Sequence, residues 1–492
     1  MSVRDLFLGT DVEIEGDGER IIRGIALRSQ EVRKDYLFLA DRGGTFDGAR
    51  FIGDAVRRGA VALFMKKGSA PLPRGIPSVI YGDPRRERGR IAARYFGFPS
   101  EKMEVVGITG TNGKTTTAYL VRLFQGESVG LMSTIETAWG AHTIPATLTT
   151  ADCVTNQRIL REMVEEKVSL CVMEVTSHAL DQDRVEGINF VAALFTNFSR
   201  DHLDYHKSPG EYLEAKRKLL TRVDDVGKVV VVNADDPVFS ETIRPVRALR
   251  ITYGIGKPAR FRAEGITYSL TGTRFRLVFQ GEGRREEALF HTQLIGRFNV
   301  ENILAAVAIC RVVRGIPLSR MAEALVPFAG PRGRLEPVIS GRGFRVLIDF
   351  AHTPDALERV LTMLKGFSFR GKVITIFGAG GNRDAGKRRE MGAVVGHFSD
   401  RTIITSDNPR TEDPGEICAE VMAGVRDRDR GRAVVEKDRS VAIAKGIAMA
   451  EKGDVVLIAG RGHERFQEIG NRRIPFEDRK VVEEILGREG VV

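Results

Sequence analysis

Short apolar runs recur along the chain, and stretches with helical spacing separate them. Val105-Val106-Gly107-Ile108 leads into a helical pattern from about Thr115. Leu170-Cys171-Val172-Met173, Val191-Ala192-Ala193-Leu194-Phe195 and Val229-Val230-Val231-Val232 follow. The last third adds Val373-Ile374-Thr375-Ile376, Thr402-Ile403-Ile404-Thr405 and Val455-Val456-Leu457-Ile458. Unbroken runs of this length predict strands buried on both faces, and their alternation with helices predicts βαβ units in parallel sheets. Two breaks stand out. Phe98-Pro99-Ser100-Glu101 precedes a fresh strand, and Phe328-Ala329-Gly330-Pro331-Arg332-Gly333 is a Pro/Gly turn cluster after an Ala-rich helical pattern. They divide the chain into units 1–98, 99–328 and 329–492.

Composition agrees with three α/β units. Domains of ~100–200 residues are usual, and the chain has 492. Its apolar fraction of 42% suffices for several cores. No run approaches the ~20 apolar residues of a membrane helix, and Met1-Ser2-Val3-Arg4-Asp5 carries no apolar signal core. A cytoplasmic protein with no membrane contact is expected. Cys153, Cys171, Cys310 and Cys418 form no CxxC pair, which excludes the usual zinc and redox motifs and fits reduced thiols. The net charge of +10 admits nucleic acid or an anionic small substrate. Basic and acidic residues are interleaved and no nucleic-acid-binding pattern stands out, so no nucleic-acid partner is expected.

The strongest chemical signal is Gly110-Thr111-Asn112-Gly113-Lys114-Thr115-Thr116-Thr117, between a strand and a helix. Glycines let backbone N–H groups approach phosphate oxygens, and the helix N-terminus adds partial positive charge. Lys114 would reach the β/γ-phosphates of ATP, and the Thr115 hydroxyl would bind Mg2+. A strict Walker loop wants glycine at 108, where Ile108 stands, so a generic P-loop GTPase or motor matches less well.

This TGTNGKTT variant resembles the Mur ligase family, and the resemblance runs over nearly the whole chain. It implies a three-domain architecture: a UDP-sugar-binding N-terminal domain, a central P-loop ATPase domain and a C-terminal Rossmann-like, amino-acid-binding domain. It also implies an ATP- and Mg2+-dependent ligase without a protein nucleophile. The family's acceptor carboxylate is phosphorylated by ATP, and an amine then attacks the acyl phosphate. Glu174, which by itself reads as a strand-end glutamate, and His202, in Thr196-Asn197-Phe198-Ser199-Arg200-Asp201-His202, match magnesium-binding positions. Lys216 reads by composition as a solvated helix lysine; in the family it is carbamylated to N6-carboxylysine and joins the metal site. Asn299 resembles an adenine-side asparagine, with a helix cap as an equal alternative. Arg334 resembles an ATP-contacting arginine. Asp349 and His352, in Asp349-Phe350-Ala351-His352-Thr353-Pro354, match a D-Y-A-H-x-P pattern with Phe350 in place of tyrosine. Lys387 lies in a basic, Gly-rich loop that could serve there too.

The resemblance also assigns substrates: UDP-N-acetylmuramoyl-L-alanyl-D-glutamate and, through Asp407-Asn408-Pro409-Arg410, meso-diaminopimelate. Arg383, Gly460 and Glu464 complete the amino-acid set. Arginine forks suit carboxylates and a glutamate suits an ammonium, and diaminopimelate has two of each. Leu27 and Ser29, the Gly44-Thr45-Phe46 turn, Thr149, Thr150, Thr176, Gln182 and Arg184 match positions holding the UDP-muramoyl-dipeptide. The family's L-D-S-R appears as Leu27-Arg28-Ser29-Gln30, so the uridine contacts differ in detail. A monomer is expected. The alternatives are a folylpolyglutamate synthase, whose likeness stops at the ATPase core, and a nucleotide-binding regulatory or nucleic-acid-binding protein. Amino-acid-dependent ATP hydrolysis separates them.

Overall fold

The computed structural model describes residues 1–10, 12–40, 47–71, 73–81, 84–126, 128–238, 246–281, 283–367 and 371–488. The expected turn residues Gly44, Thr45 and Phe46 lie outside them.

Each apolar run forms a buried strand, and the strands fall into three principal sheets among the described residues. The first is five-stranded, in the order 13–15, 78–81, 60–66, 36–40, 24–26. It packs on the rest through the helix Pro84–Tyr95 against the helix Cys153–Glu165. The Arg88 guanidinium donates to the Gln182 carbonyl across this contact, at 2.7 Å.

The second sheet is centred on Glu104–Thr109, with Leu170–Glu174 on one side and Ala192–Phe195 on the other, all parallel. Parallel pairing brings their carboxyl ends to one edge, so residues 110–113, 175–176 and 196–199 share a crevice, the usual ligand position in such sheets. The expected parallel pairing holds through the centre of the sheet, and antiparallel strands join it at both margins. Phe261–Ser269, Gly272–Gly281 and Arg284–Thr292 add an antiparallel arm. Glu136–Trp139 and His142–Pro145 add a hairpin on the other side. Buried and exposed residues alternate along Thr273-Arg274-Phe275-Arg276-Leu277, which marks the arm as half-solvated rather than buried on both faces.

The third sheet runs 336–339, 345–349, 455–459, 373–377, 401–404, 433–435. Only its first pair is antiparallel. Its carboxyl edge faces that of the second sheet, and the cleft between the two holds the site. Arg439 and Asp478, both fully buried, form a bidentate pair at 2.7 and 2.8 Å within this unit.

Candidate active site

A cavity of about 380 Å³ lies between the two facing edges. It is lined from the central unit by Thr111, Asn112, Gly113, Lys114, Thr115, Thr116, Thr149, Glu174, Thr176, His202 and Asn299. The C-terminal unit contributes Arg334, Asp349, His352, Arg383, Lys387, Asp407, Asn408, Arg410, Gly460 and Glu464. Residues as distant in sequence as Thr111 and Glu464 thus meet in one volume.

The phosphate loop needs glycine at two points. A Cβ on Gly110 would lie 1.9 Å from Thr196 Oγ1, and one on Gly113 2.3 Å from Asn302 Oδ1. Both have positive φ, 137° and 86°. The helix Lys114–Gln125 makes its first bond from Thr117 N–H to the Gly113 carbonyl, which leaves the earlier N–H groups for a ligand. Lys114 Nζ folds back onto the Gly110 and Thr111 carbonyls, both at 2.9 Å. Burial lowers the pKa of its ammonium and Glu174 opposes that fall.

Glu174 is fully buried, not an exposed strand end. Its Oε2 accepts from Thr115 Oγ1 at 3.0 Å and from Thr134 Oγ1 at 3.1 Å; Oε1 accepts from the Thr134 N–H at 2.9 Å. Thr134, which the sequence reading did not single out, therefore aims this carboxylate. Arg334 crosses from the C-terminal side to donate to Thr115 Oγ1 at 3.1 Å, with its guanidinium 4.7 Å over the Phe350 ring. The Phe350 replacement of tyrosine keeps that face. Asp349 is committed to the interunit turn: it accepts from Leu335 N–H at 2.7 Å and Ala351 N–H at 2.8 Å.

Lys216 is buried rather than solvated. Its Nζ donates to the Gly110 carbonyl at 2.7 Å and sits 4.4 Å over the Tyr212 ring. Burial, then repulsion from Lys114, drives its pKa well below the usual lysine value, and Asp201 only partly opposes them. The His202 imidazole stays neutral through the physiological range because burial outweighs the attraction of Asp201.

Asn299 is not a cap. The helix Arg297–Arg314 has already begun before Asn299, and Gly296 holds the cap position. Asn299 sits inside the first turn, donates from Nδ2 to the Ile295 carbonyl at 2.9 Å and accepts from Asn302 Nδ2 at 3.1 Å. Asn302 lines the same wall and was missed; its i+3 spacing from Asn299 was the available signal.

The amino-acid residues stand on the carboxyl ends of adjacent strands of the third sheet. Arg410 has φ 53° and forms a backbone bridge to Ile469. Its Nε donates to Glu468 at 3.0 Å and its Nη1 to the Gly381 carbonyl at 2.7 Å. Asn408 donates to Glu464 at 2.7 Å and accepts from the buried Arg461 at 2.7 Å. A Cβ on Gly460 would lie 2.6 Å from Asp407 Oδ2, itself buried with no hydrogen-bond partner among the described residues, and Pro409 packs over Gly381. Burial and then Asp407 push the Glu464 carboxyl up to about 7. Arg383 is half exposed, 4.0 Å from Asp204. Sequence reading missed the hairpin Phe466–Ile469 and Arg472–Pro475, which carries Glu468 and fixes Asp407 through Gln467 Nε2 at 2.6 Å.

The dipeptide-side residues lie partly outside the cavity. Thr149 and Thr176 line it, whereas Thr150 is buried behind, donating to the Glu174 carbonyl at 3.0 Å. Arg184 donates to Gln182 Oε1 at 2.6 and 2.9 Å and to the Thr150 carbonyl at 3.1 Å. Leu27 packs in the first unit's core and the Ser29 hydroxyl bonds Asp54. Neither lines the cavity, but Arg28 lies within electrostatic range of Arg184.

A phosphate loop beneath a second α/β unit that brings arginines and a raised carboxyl to its mouth defines an ATP-dependent ligase. The chain belongs to the Mur ligase family. Residues 21–85 match the family's "catalytic domain", 108–310 its "middle domain" and 333–462 its "glutamate ligase domain". The chain is similar to the UDP-N-acetylmuramoyl-L-alanyl-D-glutamate--2,6-diaminopimelate ligase of Aquifex aeolicus, at 42% identity over 96% of this chain and 95% of the relative. The same-named protein of Caldanaerobacter subterraneus is 39% identical over 99% of each chain. A solved structure of a ligase of that name superposes with a TM-score of 0.67 at 29% identity, covering 100% of both. MurF of Thermotoga maritima, solved with ADP, shares the fold with a TM-score of 0.63 at 19% identity, over 95% of this chain and 97% of that one. No helix of the described residues is long and apolar enough to cross a membrane.

Proposed function

We propose that this chain joins meso-diaminopimelate to the D-glutamate carboxylate of UDP-N-acetylmuramoyl-L-alanyl-D-glutamate in the cytoplasm, converting ATP to ADP and phosphate. The product feeds peptidoglycan synthesis, and through it cell shape and division. The observation that carries the reading is one cavity lined both by Lys114, Thr115 and Glu174 and by Asp407, Asn408, Arg410 and Glu464.

A carboxylate is a poor electrophile. Transfer of the γ-phosphoryl to it gives an acyl phosphate; the amine adds to that carbonyl, loses a proton, and phosphate leaves as the amide forms. Lys114 offsets charge on the phosphoryl oxygens, and Arg334 adds a second cation at the same place. Arg410 and Arg383 take substrate carboxylates, and Glu464 takes the distal ammonium. Residues 1–98 bind the uridine sugar, with the dipeptide running past Arg184, Gln182 and Thr150 toward Thr149 and Thr176.

Thr115 and Glu174 offer adjacent hard oxygens that suit Mg2+, with His202 and carbamylated Lys216 at the far side. Among the described residues no three His, Cys, Asp or Glu side chains converge on one point, so phosphate oxygens and water would complete the ligand set. Bound there, Mg2+ would neutralise phosphate charge. Burial and the neighbouring Lys114 shift Lys216 toward its neutral amine, the form that adds CO₂.

Phosphate release measured with the UDP-linked dipeptide and a panel of amino acids tests the function. It should require both the dipeptide and diaminopimelate. Release with lysine preferred, or with no amino acid required, refutes the reading.

A further inference from the structure

Asp355 opens the helix Pro354–Gly366 of the C-terminal unit, yet its carboxylate reaches the phosphate loop of the central unit. Its Oδ2 accepts from Asn112 Nδ2 at 3.0 Å and from Ser199 Oγ at 2.9 Å, while Oδ1 pairs with Arg359 at 3.0 Å.

Asn112 is otherwise held by its own unit. Its N–H donates to Asn197 Oδ1 at 2.9 Å, and its carbonyl accepts from Thr196 Oγ1 at 2.6 Å and Asn197 Nδ2 at 3.1 Å. Ser199 is tied to the loop as well: its N–H donates to Thr111 Oγ1 at 3.1 Å, and its carbonyl accepts from that hydroxyl at 3.2 Å. The phosphate loop and the 196–199 segment thus form one laced unit. Asp355 caps that lacing on one oxygen from across the cleft. Withdrawal of the C-terminal unit would take this acceptor from both side chains together.

We infer that Asp355 is a positioning residue through which closure of the C-terminal unit sets the phosphate loop for ATP, acting through Asn112 and Ser199. Arg359, one helical turn on, holds the other oxygen and so keeps the carboxylate correctly turned. Because one oxygen takes both bonds, an asparagine oxygen can accept the same two hydrogens. Asparagine therefore keeps the two bonds across the cleft but gives up the Arg359 pair, since its amide nitrogen cannot accept from the guanidinium. The inference rests on the phosphate-loop reading, which Lys114→Ala tests separately: near-normal turnover in that variant removes the loop assignment whatever Asp355 does.

The experiment uses the full chain in four variants: Asp355→Ala, Asp355→Asn, Asn112→Ala and the double Asn112→Ala/Asp355→Ala. KM for ATP and for the UDP-linked dipeptide, kcat, the affinity for β,γ-imido-ATP by calorimetry, and the thermal midpoint are measured for each. Asp355→Ala should raise KM for ATP and weaken the analogue about tenfold, leaving the dipeptide KM within about twofold. Asp355→Asn should restore part of the loss, because the acceptor remains while the Arg359 pair is gone, and the double variant should be no worse than the worse single one. The inference is overturned if Asp355→Ala binds ATP normally, if Asn fails as Ala does, or if the two losses add. A fall in both substrate affinities together with the thermal midpoint likewise overturns it, since that marks a purely structural role. Should Asp355→Ala not fold, Asp355→Asn against Asn112→Ala decides: a defect in the former as large as in the latter overturns the inference.

Discussion

Arg410 offers the sharpest test of substrate choice. Lysine differs from diaminopimelate by the distal carboxylate alone, so selectivity depends on what that carboxylate meets. Stranding a fully buried, unpaired arginine would cost ~2–5 kcal/mol. Arg410 is less extreme: its side chain is 26% exposed and keeps Glu468 and the Gly381 carbonyl as partners when the substrate is lysine. What it forgoes is the remaining charged hydrogen bonding, about 1.5–3 kcal/mol. At ~1.4 kcal/mol per tenfold, that gives roughly 10- to 150-fold discrimination through this residue. Arg410→Ala should lower kcat/KM for diaminopimelate by that factor and leave any weak lysine use nearly unchanged. The assay is phosphate release under both amino acids, wild type against variant, at saturating ATP and dipeptide. An unchanged preference ratio refutes the assignment, and a wild type that favours lysine refutes the substrate with it.

Three further outcomes are expected. Lys216→Arg keeps charge and length but cannot become a carbamate, so activity should collapse; intact mass of the native enzyme in bicarbonate should show one added CO₂ at that lysine. Burial holds the Glu464 carboxyl near 7, so it takes up a proton as pH falls through that value and loses its hold on the substrate ammonium. kcat/KM for diaminopimelate should therefore drop below pH ~7, and Glu464→Gln should be low throughout without that inflection. Asp478→Ala strips the buried Arg439 of its bidentate carboxylate, leaving the Ala459 carbonyl as its hydrogen-bond acceptor, and should cost about 3–5 kcal/mol in denaturant unfolding of the C-terminal unit; a loss under about 1 kcal/mol would contradict the pairing.

The strands and the phosphate loop were legible because each rests on a local pattern. An apolar run such as Val455-Val456-Leu457-Ile458 needs no distant partner to declare itself buried. Lys216 was not legible in this sense: its helix reads as amphipathic, and only the Tyr212 ring and the Gly110 carbonyl explain a lysine in the interior. The cap alternative for Asn299 failed because the helix starts ahead of it, at Arg297; Asn has poor helix propensity, which its bond to the Ile295 carbonyl offsets. The roles of Thr134 and Glu468 depend on pairings 40 and 58 residues away, which no local spacing encodes. Ser29 kept the family's residue type, yet its hydroxyl serves Asp54 rather than the cavity.

The third sheet carries Asp349 on one strand and Gly460 just beyond the end of its parallel neighbour, with Ala459 opposite Asp349 in the register. The phosphate loop stands on the second sheet, across the cleft, so the nucleotide subsite and the amino-acid subsite belong to different units. A single compound with an adenosine end and a diamino-dicarboxylate end would therefore bridge the cleft and tie the two units together. Once one end docks, the other faces its subsite at an effective concentration on the order of millimolar, provided the tether spans that gap.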